Sequence, residues 1–325
     1  MHNIGIQFTA RGQMDFYNLG EPPDPGATQI LIRTHYSGIT NGTERHALVG
    51  DFGYGGGYPG RHGYQHVGVV EKAGAQVKAF REGDIVFYGH YVGHRGWNIV
   101  EIGSGDSPSL GLHLCLRLPD DIDHEFCALL GVTGVGMRHV RRVRVSPAER
   151  VWVVGLGPIG QSAAQSARAY GAHVTVTDVV DRRLDVAKKL GAHRIINASE
   201  PSSMEQLKQG SPYNCIIDAS GMPSLLSDIH RNGLLAHRGT IGLLAVRGET
   251  TFQWGMLHIL EGAFEVSCHF ALDDLGVIIH FLRSGVMQIK PMISHRVPVT
   301  EAPRIYEIMR DNPRELLGVI FSWKE

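Results

Sequence analysis

The ten residues VWVVGLGPIG at positions 151–160 leave little choice about the fold around them. Residues 151–154 are apolar without interruption, which suits a strand buried on both faces of a parallel sheet. Gly155, Gly157 and Gly160 then form G-x-G-x-x-G, and residues 161–170 read as a helix ended by Gly171. The first glycine makes the tight turn, the second lets a pyrophosphate reach the backbone, and the third lets helix and strand pack closely. With Pro158 and Ile159 between them, these glycines open a helix N-terminus, where free N–H groups and the dipole favour phosphate. Residues 173–178 form a second strand ending in Asp178, about 20 residues further on, where a carboxylate takes the ribose hydroxyls of NAD. Residues 181–190 form a capped amphipathic helix with Leu184, Ala187 and Leu190 on one face. A glycine turn in some other α/β protein is the alternative. Strand, helix and acid in register make this a dinucleotide site.

The rest of the chain fits around that unit. Its 325 residues suffice for two domains and a large core. Lys plus Arg (31) balance Asp plus Glu (32), which gives no basic surplus for nucleic acid or an anionic membrane. No apolar run reaches the ~18 residues of a spanning helix, and MHNIGIQ lacks the layout of a signal peptide. Cys115, Cys127, Cys215 and Cys268 lie far apart, so buried reduced thiols in a cytoplasmic protein are expected. Residues 1–118 are rich in short strands (29–35, 67–71, 84–88), separated by glycine-rich turns densest at 53–63. A helix is expected to start at 120–125 and an apolar, small-residue stretch follows at 129–140.

Beyond Gly191, strands at 193–197, 214–218 and 239–244 alternate with helices, one of them at 224–233. This pattern implies a parallel sheet with helices on both faces. Residues 264–270 read as another strand, 272–284 and 302–310 as helices. The last strand, 316–323, has no partner in that sheet and is expected to return to the first domain. The fold class is α/β: a β-rich domain of residues 1–130 and 272–325, and a doubly wound domain of residues 131–271. The apolar strand at 264–268 falls late in the parallel sheet and is expected to form an edge, one that pairs with a second copy in a homodimer or is covered by its own chain.

GYQHVGVV at 63–70, Gly83-Asp84 and Gly131-Val132-Thr133, with the glycine turn, are similar to landmarks of the medium-chain dehydrogenase/reductase superfamily. The resemblance spans the chain. SGITNGTE at 37–44 resembles the branch containing the bacteriochlorophyllide dehydrogenases. It implies a GroES-like catalytic domain, a Rossmann domain and a nicotinamide cofactor, with Thr133 added to the cofactor residues Gly155, Gly157, Pro158, Ile159, Gly160 and Asp178. The zinc enzymes of that superfamily hold their catalytic metal with a Cys, a His followed by Glu, and a second Cys. Those positions fall here on Asn41 (or Thr40), on Tyr64 followed by Gln65, and on Leu129 or Leu130. None is a thiolate, imidazole or carboxylate. Of the four cysteines of a structural zinc site only Cys115 remains, so no metal is expected. A site rebuilt from His62, His66, His90, His94, Glu44 and His46 is the alternative.

Without a metal, the substrate oxygen needs other help. Thr43 and His46 match the spacing of the family's proton relay, a hydroxyl backed by an imidazole that titrates near neutrality. Tyr64 adds a phenol donor or simply fills the vacated volume. Glu44 is a structural carboxylate or a catalytic one, and Gln65 a hydrogen-bonding support. The expected function is zinc-independent hydride transfer between NAD and a secondary alcohol or ketone. Reduction of an activated C=C bond, as in quinone and enone reductases, is the second reading; those enzymes favour NADPH, which Asp178 would repel. A sensor or structural protein that binds NAD without turnover is the third. Tyr54, Tyr58, Tyr91, Trp97, Trp254 and residues 267–270 are candidates to line a small-molecule pocket, and they do not identify the substrate.

Overall fold

The computed structural model describes residues 3–51, 56–104, 114–246 and 249–324. The chain begins with strands β1 (Ile4–Ala10), β2 (Gln13–Asn18) and β3 (Gln29–Gly38), helix α1 (Asn41–Leu48), then β4 (His66–Ala73), β5 (Ile85–Tyr88), β6 (Trp97–Glu101) and β7 (Cys115–Arg117). Helix α2 (Leu130–Arg142) leads into β8 (Arg150–Val154), α3 (Pro158–Ala169), β9 (His173–Asp178), α4 (Asp181–Lys189), β10 (Arg194–Asn197), α5 (Ser203–Gly210), β11 (Tyr213–Asp218), α6 (Leu225–Arg231), β12 (Leu235–Leu243), α7 (Gly255–His258) and β13 (Ala263–Val266). The chain closes with α8 (Leu272–Arg283), β14 (Ile293–Pro298), α9 (Ala302–Asp311) and β15 (Gly318–Ser322).

Two compact units result: 1–131 with 271–276 and 293–325, and 132–270 with 277–292. Residues 277–292, expected with the first domain, belong to the second. Their buried Ile278, Met287 and Met292 explain why, since Gln165 of α3 bonds to the Gln288 carbonyl and receives the Gln288 N–H.

In the second unit, six strands pair in parallel in the order β10-β9-β8-β11-β12-β13. The order reverses at β8, and the crevice at such a switch point is where open α/β sheets bind ligands. Val151, Val153, Val174 and Val176 pack with Ala163, Ala164 and Ala167 of α3, whose small side chains let the helix lie close to the sheet. The strand expected at 264–270 stops at Val266, because His269 turns into the left-handed region (φ 59°).

The first unit holds a β1–β2 hairpin and a sheet ordered β14-β15-β3-β4-β5-β7, with β6 also on β3. β15 joins β3, as its lack of a partner in the parallel sheet required. Strand β3 ends where Gly38 passes the 126–129 turn so closely that a Cβ would lie 2.0 Å from the Ala128 carbonyl oxygen. Residues 120–125, expected to begin a helix, form turns instead; helical structure starts at Phe126. Helix α4 begins after Val180 with no side-chain cap, unlike the capped start expected. Cys115, Cys127 and Cys215 are buried, whereas Cys268 is exposed because β13 ends before it. Among the described residues, no helix is long and apolar enough to cross a membrane.

Candidate active site

The second unit's site is built mostly from backbone. Gly155 sits at φ +86°, which L side chains rarely adopt, and Gly160 lies so close behind it that a Cβ would be 1.9 Å from the Gly155 carbonyl oxygen. Gly157 is different. It has the ordinary φ of −61°, caps α3, and a Cβ there would meet no heavy atom within 4 Å. Neither conformation nor packing requires glycine at 157, and the space beside it opens at the helix N-terminus, where free N–H groups favour anions. Pro158 follows at the first helical position, where its missing N–H is no loss. Ile159 is half-buried in the same turn.

Asp178 ends β9, only 8% exposed. Its carboxylate accepts the Leu156 N–H at 2.6 Å and the Val180 N–H at 2.9 Å, so it braces the glycine turn itself. Arg183 lies 3.8 Å from the same carboxylate, while Arg182 is exposed. A carboxylate has about four lone-pair positions, so two backbone donors leave capacity for a ribose diol. Thr133 belongs to this unit as well, and its carbonyl accepts the Ser162 hydroxyl at 2.8 Å, tying α2 to α3.

The first unit's cluster is made of side chains. Glu44, 1% exposed on α1, accepts the Thr40 N–H at 2.7 Å and the Tyr306 hydroxyl at 2.7 Å, and lies 3.1 Å from His94 Nε2. The other His94 nitrogen is 2.8 Å from Ser37 Oγ, which also accepts the Trp323 indole N–H at 2.9 Å. The His94 ring thus links the Glu44 carboxylate, through Nε2, to the Ser37 hydroxyl, through Nδ1. Burial, with Glu44 adding to it, pushes the Tyr306 phenol well up, so it stays a donor. Glu44 is thereby held in place by three partners. The sequence offered no sign of its partners beyond the presence of His94 among the histidines.

Above Thr40 lies a second set of contacts. Gln65 Nε2 donates to the Gly38 carbonyl at 3.2 Å and to Thr40 Oγ1 at 3.4 Å. The Thr40 hydroxyl is hydrogen-bonded to Tyr64, which is 2% exposed. Burial raises the Tyr64 phenol far above its usual range, with the Thr40 bond opposing, and its ring packs against Tyr91 at 4.9 Å. Gly131 faces both side chains: a Cβ there would lie 2.7 Å from Gln65 Oε1 and 2.8 Å from Tyr64 Cε2. Asn41 donates to the Leu317 carbonyl at 2.9 Å.

Thr43 and His46 stand three residues apart on α1 and so share a face. Thr43 is half-buried; His46 is more open and its Nδ1 is 2.9 Å from Asp51.

These residues do not fit a catalytic zinc. Asn41, Tyr64, Gln65 and Leu129 or Leu130 offer amides, a phenol and an alkyl chain, and Tyr64 and Gln65 press on Gly131. No group of three or more His, Cys, Asp or Glu is placed to hold a metal ion among the described residues. His66, buried, bonds to the Gly93 carbonyl, and His62 stacks on Phe8. Of the proposed pocket aromatics, Tyr58 and Trp97 are committed to backbone carbonyls at Ala47, Leu48 and Gly20. Tyr91 is exposed beside Tyr64, and Trp254 is exposed and stacked on His258. Ser267 bonds to His139, Phe270 is buried, and Tyr54 lies outside the described residues.

Residues 158–274 match the zinc-binding dehydrogenase family and residues 26–109 the alcohol dehydrogenase GroES-like domain. The chain is 27% identical over 316 residues to sorbitol dehydrogenase of Bos taurus, covering 88% of this chain and 87% of that protein. It is 29% identical over 322 residues to L-galactonate-5-dehydrogenase of Escherichia coli K12, covering 92% and 94%. A short chain alcohol dehydrogenase of Escherichia coli CFT073, solved with NADH, shares the fold with a TM-score of 0.84 at 20% identity, covering 99% of each chain. With a GroES-like unit, a switch-point glycine turn and these relatives in agreement, the chain belongs to the medium-chain dehydrogenase/reductase superfamily, among its zinc-type alcohol dehydrogenase-like members.

Proposed function

We propose that this chain is an NAD-dependent oxidoreductase that moves a hydride between the nicotinamide and a secondary alcohol or ketone, with side chains in place of zinc. The observation that carries the cofactor is Asp178, a buried carboxylate at the end of β9 that braces the glycine turn. It favours a ribose diol and opposes a 2′-phosphate. The relatives support the substrate class, since those named are dehydrogenases of hydroxylated carbon chains.

In ketone reduction, hydride goes to the carbonyl carbon and a proton to its oxygen. Tyr64 donates a hydrogen bond to that oxygen as charge develops and keeps its own proton, consistent with a phenol raised by burial. Thr43 hands over the proton and His46 replenishes it from solvent; alcohol oxidation runs the same steps backwards. Thr43→Val is expected to cut turnover about 100-fold with NADH affinity unchanged.

Three measurements test the reading. Titration with both cofactors should give tighter binding of NADH; tighter NADPH overturns the assignment and favours the enone-reductase alternative. Metal analysis of untagged protein should find well under one zinc per chain, with turnover retained in chelator. Oxidation of bound NADH by ketones separates an enzyme from a protein that only binds the nucleotide. Self-association belongs to the same reading. Strand β13 is an edge of the parallel sheet, and Val266, Trp254 and Ile259 nearby are 62%, 70% and 75% exposed, an apolar margin suited to a second copy. A monomer mass by light scattering at micromolar concentration would rule out the dimer.

A further inference from the structure

In the first unit, Gly5 of β1 lies between two chain neighbours. It pairs with Tyr17 of β2 on one side and bridges to Arg95 on the other, and directly opposed residues of antiparallel chains share a face. Because Gly5 has no side chain, the Tyr17 ring lies across it: a Cβ there would be 2.4 Å from Tyr17 Cζ and 2.5 Å from its hydroxyl oxygen. Arg61 stacks on the same ring, its Cζ 3.9 Å from the centroid. Two guanidinium groups therefore flank one phenol. Arg61 is exposed; Arg95 is half-buried and bonds through Nε to Asn98 Oδ1 at 2.6 Å. Neither forms an ion pair among the described residues. Burial lowers the Arg95 pKa and Arg61 adds to the lowering, while the groups that oppose it are the phenols of Tyr17 and Tyr88, not a carboxylate. The Tyr17 hydroxyl is itself buried with no hydrogen-bond partner among the described residues. Buried charge is ordinarily paired and a buried hydroxyl ordinarily bonded. Both partners are missing at one place.

We propose that Arg61, Arg95 and the Tyr17 hydroxyl form a binding site for a phosphate group. No residue of the nucleotide turn or of the Tyr64 cluster takes part. A phosphate dianion carries the two charges that the guanidinium pair lacks, and its oxygens accept from both planar forks and from the phenol O–H. The exposed Arg61 is the member that moves, turning from the ring to the anion and uncovering the hydroxyl beneath it. Gly5 belongs to the site, because a side chain there would push the phenol away.

Inorganic phosphate titrated into the whole chain at constant ionic strength tests it, followed at the ζ-carbon resonances of labelled Tyr17, Arg61 and Arg95. All three should shift and saturate together, with NADH absent or saturating. Arg95→Gln and Arg61→Gln should each weaken binding at least about 10-fold, and Tyr17→Phe about 3- to 10-fold. Acetate should bind at least about 10-fold more weakly than phosphate. Methyl phosphate titrated in parallel separates the two sources of the ligand: a shift as strong as that of the free ion points to a phosphate ester, and no shift points to the ion itself. Stability gives a second readout. Without phosphate, Tyr17→Phe and Arg95→Gln should unfold no lower than wild type, since each removes a group that has no partner. Phosphate should then raise the unfolding temperature of the wild type more than that of either variant. A purely structural role for these residues predicts the reverse, destabilised variants and no effect of phosphate. Arg61→Gln changes an exposed side chain and keeps the test open if Arg95→Gln folds poorly. No saturable shift, a shift matched by acetate, loss of the response on NADH binding, or full affinity in Arg61→Gln would overturn the proposal.

Discussion

The two units of this chain solve the same problem, holding polar groups still in a buried place, by different means. The nucleotide unit uses backbone: Asp178 accepts from Leu156 and Val180 N–H groups, Ser162 donates to the Thr133 carbonyl, and Gln161 donates to the Arg183 carbonyl. The first unit uses side chains on side chains: Tyr306 and His94 on Glu44, Ser37 on His94, Trp323 on Ser37. A side chain bonded to backbone survives changes in its neighbours' identity. One bonded to other side chains depends on each of them, so losing one member exposes the rest. Removing a residue from either site therefore tests which description is right.

The largest effect is expected at Glu44. Glu44→Ala leaves the Thr40 N–H, the Tyr306 hydroxyl and His94 Nε2 buried without their acceptor, which should cost about 3–5 kcal/mol of stability. Glu44→Gln should be much milder. Its carbonyl still accepts the Thr40 N–H, and its amide, in the place of Oε2, can donate to His94 Nε2 and to the Tyr306 oxygen. Chemical denaturation of the two variants measures the gap. Equal losses would mean that the cluster is held by packing instead of directed hydrogen bonds.

His139 comes next and lies in the other unit. It is fully buried on α2, 2.8 Å from Ser267 Oγ, and a Cβ at Gly242 would approach its Nε2 to 2.2 Å. Burial, only partly opposed by the neighbouring Gly242 backbone and the Glu265 carboxylate, pulls its pKa down to about 4. The folded value lies below the unfolded one near 6.5, so the unfolded chain takes up the proton first. Stability from this group is complete above pH 6.5, falls as pH drops toward 4 and is level below that, a loss of about 3 kcal/mol. His66 of the first unit is depressed in the same direction by burial, so the wild-type slope contains both. His139→Asn should remove its share of the slope between pH 6.5 and 4. An unchanged slope would mean that the ring is hydrated in solution.

How much of this was legible follows from the same contrast. The glycine turn, the β8 and β9 strands and Asp178 lie within one short stretch, the Asp178 partner Leu156 being only 22 positions away. Glu44 meets partners 50 and 262 residues distant, and Ser37 meets Trp323 across 286. No periodicity or spacing records such a pairing. The sequence marked Asn41, Tyr64 and Gln65 as departures from the ligand pattern of the family it resembles, without showing that Thr40 joins two of those residues. Residues 277–292 were misassigned for a related reason: an amphipathic helix does not declare which core it covers.

Gly160→Ala is expected to have an intermediate effect. Its Cβ would fall 1.9 Å from the Gly155 carbonyl oxygen, a backbone atom that cannot step aside, so helix and strand must part. A loss of about 2 kcal/mol is expected, together with weakened NADH binding, because the turn and the helix N-terminus move with it. Thermal unfolding with and without NADH separates the two losses.

Gly157→Ala should give the smallest change in stability and the sharpest reading of the site. At φ −61° alanine is unstrained, and a Cβ would meet no protein atom within 4 Å. If glycine were present at 157 for the fold, replacing it would destabilise the chain; neither the backbone nor the packing gives a reason for that. If it is there for the pyrophosphate, a methyl group stands where phosphate oxygens approach the first N–H groups of α3. The unliganded protein should then unfold within about 0.5 kcal/mol of wild type, while NADH binds at least about 10-fold more weakly. Calorimetric titration of NADH into the folded variant decides it. Undiminished affinity would remove the pyrophosphate from this turn, and with it the reason for reading Asp178 as a ribose ligand.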